Sequence, residues 1–144
     1  MYEKFGQFID GKWCQSFDKS TYEVINPANE EILGHASKAT VEDVDRALKS
    51  AEKGLQVWKK TPPWKRSYII RRIADMIRKK QDILAKWMTL EVGKPFVEAK
   101  GEVGGAADIF EWNAEETKRI YGQTVESRFL DTRVHVYYQP VGVV

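Results

Sequence analysis

Cysteine is nearly absent from this chain: a single thiol, Cys14, stands in 144 residues. One cysteine builds neither a disulfide framework nor a thiolate metal cluster, which excludes the small stapled folds and points to a reducing, cytoplasmic location. Histidine is scarce as well, with only His35 and His135. Neither has a carboxylate at a recognisable spacing, so both read as ordinary strand residues. No charge of one sign prevails, since 23 basic side chains face 21 acidic ones for a net charge of +2. That balance supplies no field toward nucleic acid or membrane. No apolar run approaches the roughly 20 residues that span a bilayer. The opening Met-Tyr-Glu-Lys-Phe-Gly lacks the basic and apolar regions of a secretory leader. Repeats, low-complexity tracts and linkers are missing too.

What is present is a globular composition, 42% hydrophobic and 31% charged, in a chain long enough for one domain with a core. Phe8-Ile9-Asp10-Gly11-Lys12-Trp13 reads as a tight hairpin, because Asp-Gly supplies the two positive-φ residues of a type I′ turn. Thr21 to Ile25 is rich in β-formers and stops at Asn26-Pro27, a turn signal. Glu31 to His35 is the expected return strand. Four helices follow. The first opens at Thr40, an N-cap residue with Asp43 in the capping-box position, and carries an apolar stripe of Val44, Ala47, Leu48, Ala51, Leu55 and Trp58. The second starts at Pro62-Pro63 and is expected to bury Ile69, Ile70, Ile73, Met76 and Ile77. The third spans about 82–92 with Ile83, Leu84, Trp87, Met88 and Leu90, and stops at Gly93. The fourth runs from near Phe96 to Tyr121, with Val103, Ala106, Ala107, Phe110 and Ala114 inward and Gly122 as its stop. Arg133 to Tyr138 alternates with period two, as a half-exposed strand does. Val141-Gly142-Val143-Val144 reads as the start of a fully buried strand of a parallel sheet. Such a strand needs neighbours that no other segment here supplies, so the pattern implies a truncated chain or a sheet borrowed from elsewhere.

Several residue groups invite a chemical reading. Cys14 follows a hairpin strand with no base beside it, so it reads as inert. Gly101, Gly104 and Gly105 lie inside a helical pattern, whereas a dinucleotide loop sits between a strand and a helix; close helix packing is the expectation. Arg66, Arg71, Arg72, Arg78, Lys79 and Lys80 spread around one helix, as a solvated face does, rather than forming a phosphate-binding line.

The same segments, in order, resemble the NAD(P)-dependent aldehyde dehydrogenase superfamily. FIDGKW at 8–13, INPANEEILG at 25–34 and the helix ending in LQVW carry the first part. RSYIIRRIADMIRKKQDILAKWMTLEVGKPFVEA at 66–99, GEVGGAADIFEWNAEETKRIYG at 101–122 and YYQPVGVV at 137–144 complete it. LEVGKP and EWNAEETKRIYG are similar to the succinate-semialdehyde type. The resemblance implies an α/β fold, the N-terminal part of a Rossmann-type cofactor domain with β-hairpins and about four helices. It implies residues 1–122 as hairpins and helical layer, 123–139 as an oligomerisation ribbon, and 140–144 as the first buried strand. The implied parent oxidises an aldehyde to a carboxylic acid through a cysteine thiolate, hydride transfer to NAD or NADP, and a glutamate-activated water. The nucleophile, the general base and the cofactor-binding residues of that family match nothing here, so these 144 residues alone are expected to be inactive and to bind no cofactor. A dimer or tetramer is implied for the parent. The resemblance also places Gly105, Ile109 and Trp112 on the wall of the substrate channel, with core packing as the other reading of the last two. It places the Ile25 carbonyl and Glu91 at a monovalent-cation site, against the simpler reading of Glu91 paired with a neighbouring base. The rival to the enzyme reading is a non-enzymatic helical interaction domain or truncated gene product.

Overall fold

Residues 6–144 are described by a computed structural model; the reading of the opening residues as no leader rests on 1–5 and lies outside the described residues. Strands β1 (Gln7–Ile9) and β2 (Lys12–Cys14) pair antiparallel, with Ile9 opposite Lys12. Both turn residues have positive φ, 53° at Asp10 and 75° at Gly11, the geometry an Asp-Gly pair favours. Strands β3 (Thr21–Ile25) and β4 (Ile32–Ser37) form a second antiparallel ribbon. Asn26 locks its turn: the backbone N–H donates to the Glu31 carbonyl at 2.8 Å, and the side-chain oxygen accepts from the Ala28 N–H at 3.0 Å.

Helix α1 (Val41–Trp58) begins with the expected capping box from Thr40 and Asp43. Asp43 does more than cap. One carboxylate oxygen accepts from the Thr40 and Phe17 N–H groups, both at 3.0 Å, and from Gln7 Nε2 at 3.4 Å. The other accepts from Arg46 at 2.5 Å. The residue is only 1% exposed, and it ties α1 to the first hairpin. These donors, the Thr40 N–H foremost, hold the carboxyl far below the usual carboxylate range against the opposing effect of burial.

Helices α2 (Pro63–Lys79), α3 (Gln81–Val92) and α4 (Phe96–Glu116) follow, and a 3₁₀ turn extends α4 through Thr117–Arg119. Gly93 ends α3 in the left-handed conformation, φ 74°, as its position in the sequence implies. α4 packs on both α2 and α3. The buried hydrophobic residues are Ala74, Ala85, Ala99, Val103, Ala107 and Ala114. Five of these six are alanines, so the helices meet on small side chains and approach closely.

The helical periods are as expected, but the seam lies to one side of the large apolar residues. On α2 the buried positions are Ser67 and Ala74, with Ile70, Ile73 and Ile77 half-buried, while Ile69 and Met76 are exposed. On α4, Val103, Ala107 and Ala114 face inward, but Ala106 and Phe110 do not. Ile83 of α3 and most of the α1 stripe, Val44 and Leu48 included, are exposed. α2, α3 and α4 meet along their buried alanines, with Ile77, Leu84 and Met88 partly covered beside them, while Ile69, Met76, Ile83 and Phe110 stay exposed. The fourth helix also stops earlier than Tyr121. Gly122 serves a close approach instead, since a Cβ there would lie 2.5 Å from the Val136 carbonyl oxygen.

That approach belongs to a third ribbon, β5 (Gln123–Glu126) with β6 (Arg133–Val136), antiparallel with Thr124 opposite His135. β5 falls within the ribbon that the resemblance implied over 123–139, though the residue pattern named no strand there, and it gives β6 a partner on one edge within its own chain. All residues of both strands are exposed. Residues 140–144 form no strand, and Val141 and Val144 are 88% and 108% exposed. The described residues make three two-stranded ribbons and no parallel sheet, so the expected buried strand has nothing to join. The chain's accessible surface is 11430 Å². A compact monomer of this length exposes about 7,600 Å². The excess is about half as much again.

Candidate functional site

Gly105, Ile109 and Trp112 are spaced by four and three along α4, which puts them on one face. The buried positions Ala99, Val103, Ala107 and Ala114 lie on the opposite face. Ile109 is 64% and Trp112 70% exposed, which rules out core packing within this chain for both. A Cβ added at Gly105 meets nothing within 4 Å. The three residues therefore form a shallow apolar wall, open above Gly105, on a helix whose other side is fixed. Side-chain bonds within α4 stiffen its end, from Asn113 Nδ2 to the Ile109 carbonyl at 2.9 Å and from the Thr117 hydroxyl to the Asn113 carbonyl at 2.8 Å.

An ion-pair ladder sets the rotation of this wall. Arg71 of α2 binds Glu111 at 2.8 Å and also Glu115 of α4. Arg78, two turns along α2, binds Asp108 at 2.7 Å and Glu111 at 2.6 Å. Lys118 closes the series on Glu115 at 2.5 Å. The Lys118 and Arg71 donors hold the Glu115 carboxyl below its ordinary value, while Asp108 and Glu111 raise Arg78. Two members of the basic stretch thus face a partner helix, which corrects their reading as a wholly solvated face. The signal was in the sequence: Arg71 and Arg78 are seven apart, and Asp108, Glu111 and Glu115 are spaced three and four, so each set occupies one helix face. Arg72 instead lies over the Tyr68 ring, 5.9 Å from its centroid.

Ile25 ends β3, and Glu91 is exposed in the last turn of α3. The two segments meet, because a Cβ at Gly93 would lie 3.0 Å from Pro27 Cγ. Among the described residues no group of three or more His, Cys, Asp or Glu side chains is placed to hold a metal ion.

The remaining candidates occupy structural positions. Cys14 ends β2, half-buried, and its thiol donates to the Gln7 carbonyl at 3.4 Å. His35 lies in β4, and His135 of β6 sits 3.2 Å from the Thr124 hydroxyl. Gly101, Gly104 and Gly105 all lie inside α4. Only Gly104 shows the close packing expected of the three, with a Cβ there 3.1 Å from Gln81 Nε2. No strand–glycine loop–helix unit, the arrangement of a dinucleotide fingerprint, occurs among the described residues. No helix of the described residues is long and apolar enough to cross a membrane.

Comparison with known proteins gives the family this chain resembles in sequence and fold. The sequence model of the aldehyde dehydrogenase family matches residues 13–144. Glutarate-semialdehyde dehydrogenase of Pseudomonas aeruginosa is 41% identical over 136 residues, 94% of this chain and 28% of that protein. The NADP(+) succinate-semialdehyde dehydrogenase of Escherichia coli is 40% identical over 135 residues, with the same coverage of 94% and 28%. Among solved structures, succinate-semialdehyde dehydrogenase from Burkholderia pseudomallei superposes with a TM-score of 0.90 at 36% identity, over 96% of this chain and 29% of that one. The chain thus spans 28% of the length of the curated relatives it matches, their N-terminal part.

Proposed function

Because this chain belongs to the aldehyde dehydrogenase family, we propose that it forms the hairpins and outer helical layer of the cofactor domain of an NAD- or NADP-dependent semialdehyde dehydrogenase. The observation that carries the reading is the unbroken match, 136 residues at 41% identity, to an enzyme of a dicarboxylic semialdehyde. The reaction is oxidation of an aldehyde, succinate or glutarate semialdehyde in class, to a carboxylic acid. The residues of this chain do not perform it. Among the described residues none stands where the family's nucleophile or general base would be, and none belongs to a dinucleotide fingerprint loop. Their part is positional: Gly105, Ile109 and Trp112 wall the path of the aldehyde and keep water from it, while the Arg71–Glu111–Arg78 ladder fixes that wall. The Ile25 carbonyl and Glu91 contribute oxygen ligands to a monovalent-cation site. The exposed β5–β6 ribbon serves assembly into a dimer or tetramer through its free edge, in the cytoplasm.

A chimera tests this. The 144 residues replace the matching segment of the Pseudomonas aeruginosa relative, and NAD(P)H production from glutarate and succinate semialdehyde is followed. We expect turnover by the chimera and none by the 144 residues alone. A folded, soluble chimera without turnover overturns the reading, as does activity of the chain alone that disappears in Cys14→Ala.

A further inference from the structure

The first hairpin and α1 line an open depression of about 370 Å³ whose lining is markedly basic. Lys12 comes from β2, and Arg46, Lys49 and Lys53 from α1. The helical residues are not scattered: 46, 49, 50 and 53 are spaced three, one and three, so they share one face of the helix. Four cations and one acid, Asp10, therefore line this depression in a chain whose whole net charge is +2. The acid is partly engaged, as the Ser50 hydroxyl donates to Asp10 at 3.4 Å. Arg46 is pinned at the edge by Asp43. Lys12, Lys49 and Lys53 form no ion pair among the described residues, whereas Arg71, Arg78, Lys94, Lys100 and Lys118 all do. Like charges gathered with a single acid among them repel one another, and an anion placed between them lowers that repulsion.

We propose that this depression binds a small polyanion of the phosphate or pyrophosphate class. Lysines are compact point charges suited to phosphate oxygens from any direction. Here three of them line one opening, with the fixed Arg46 guanidinium as a wall. A planar carboxylate favours a guanidinium fork, and the one guanidinium present already binds Asp43. The site lies on β2 and α1, apart from the α4 wall, and stands whether or not the function proposed above is correct.

Cys14 lines the same depression and reports on it. The 144-residue chain is titrated with pyrophosphate, inorganic phosphate and citrate at constant ionic strength while alkylation of Cys14 by neutral iodoacetamide is timed. Pyrophosphate is expected to slow alkylation saturably, at sub-millimolar concentration and at least several-fold more effectively than citrate. Lys49→Ala with Lys53→Ala should weaken that protection about three- to tenfold, whereas Lys79→Ala with Lys80→Ala, on exposed positions of the second helix and beyond it, should leave it unchanged. Equal loss in both double variants means diffuse charge and overturns the proposal. So does citrate matching pyrophosphate, or alkylation indifferent to every anion at 10 mM, more than about tenfold above the sub-millimolar range expected.

Discussion

Ala107→Leu should destabilise this chain more than any loss of an exposed large apolar side chain. Ala107 is fully buried on the α4 line that faces α2. Glu111, one turn on, is held by Arg71 and Arg78. Three added carbons have no void to enter, so the helices must part or the side chain must leave its rotamer, at about 1–3 kcal/mol. Parting the helices also lengthens the ion pairs, and that takes the effect toward the upper end. For a domain of this size each kcal/mol lowers the melting temperature by about 2–4 °C, so the expected fall is roughly 3–10 °C. Leu48→Ser on the exposed α1 stripe provides the contrast and should change stability by no more than about 0.5 kcal/mol. Both are read by thermal and urea unfolding of the 144-residue chain followed by far-ultraviolet circular dichroism. If Leu48→Ser proves the more damaging, the large apolar residues and not the alanines form the working core, and the packing argument fails.

Three further outcomes follow from the same structure. Asp43 has a depressed folded-state pKa, so its contribution is complete above its ordinary value of 3.8 and is lost as pH falls through the folded value; Asp43→Asn should lower stability at pH 7 and flatten its decline below pH 4, and a parallel acid-unfolding curve for both proteins would refute this. Gly93→Ala should lose about 1–2 kcal/mol in urea unfolding, because φ is 74° and the new Cβ meets Pro27 Cγ at 3.0 Å; an unchanged midpoint would contradict it. Calorimetric titration of the 144-residue chain with NAD and NADP should show no micromolar binding, since no glycine loop lies at a helix start.

Much of the fold was legible in the sequence because local chemistry decides it. Asp10-Gly11 dictated a turn, Thr40 with Asp43 a helix start, and Gly93 a helix end, and each holds in three dimensions. The family resemblance, carried by motifs in order, matches the comparisons. The seam between helices was not legible. Periodicity names a face to within about one position, and Ala74 and Ala107 win that face over Ile69, Met76 and Phe110 because small residues permit close approach. β5 was legible only through the resemblance, as part of the ribbon 123–139, because Gln123 to Glu126 has only one large apolar residue, Val125, and so no alternating pattern. Gly122 was read as a helix stop, though its role is to admit the Val136 carbonyl, a contact between residues that periodicity does not relate. On the outer face of α4, the spacing of Gly105, Ile109 and Trp112 was readable, but their exposure was not, since an apolar helical residue looks alike whether it is covered or bare.

The central claim is that this chain presents faces meant to be covered: apolar helix stripes, an open β5–β6 edge and the exposed Val141 to Val144. Light scattering of the purified 144 residues across a concentration series, paired with amide exchange over 132–144, tests it most directly. We expect association that grows with concentration and fast exchange at amides on the open edge and through the final valines. A clean monomer at high concentration, with slow exchange throughout 132–144, would show that the ribbon and the terminal segment fold onto this chain itself, and would contradict the account.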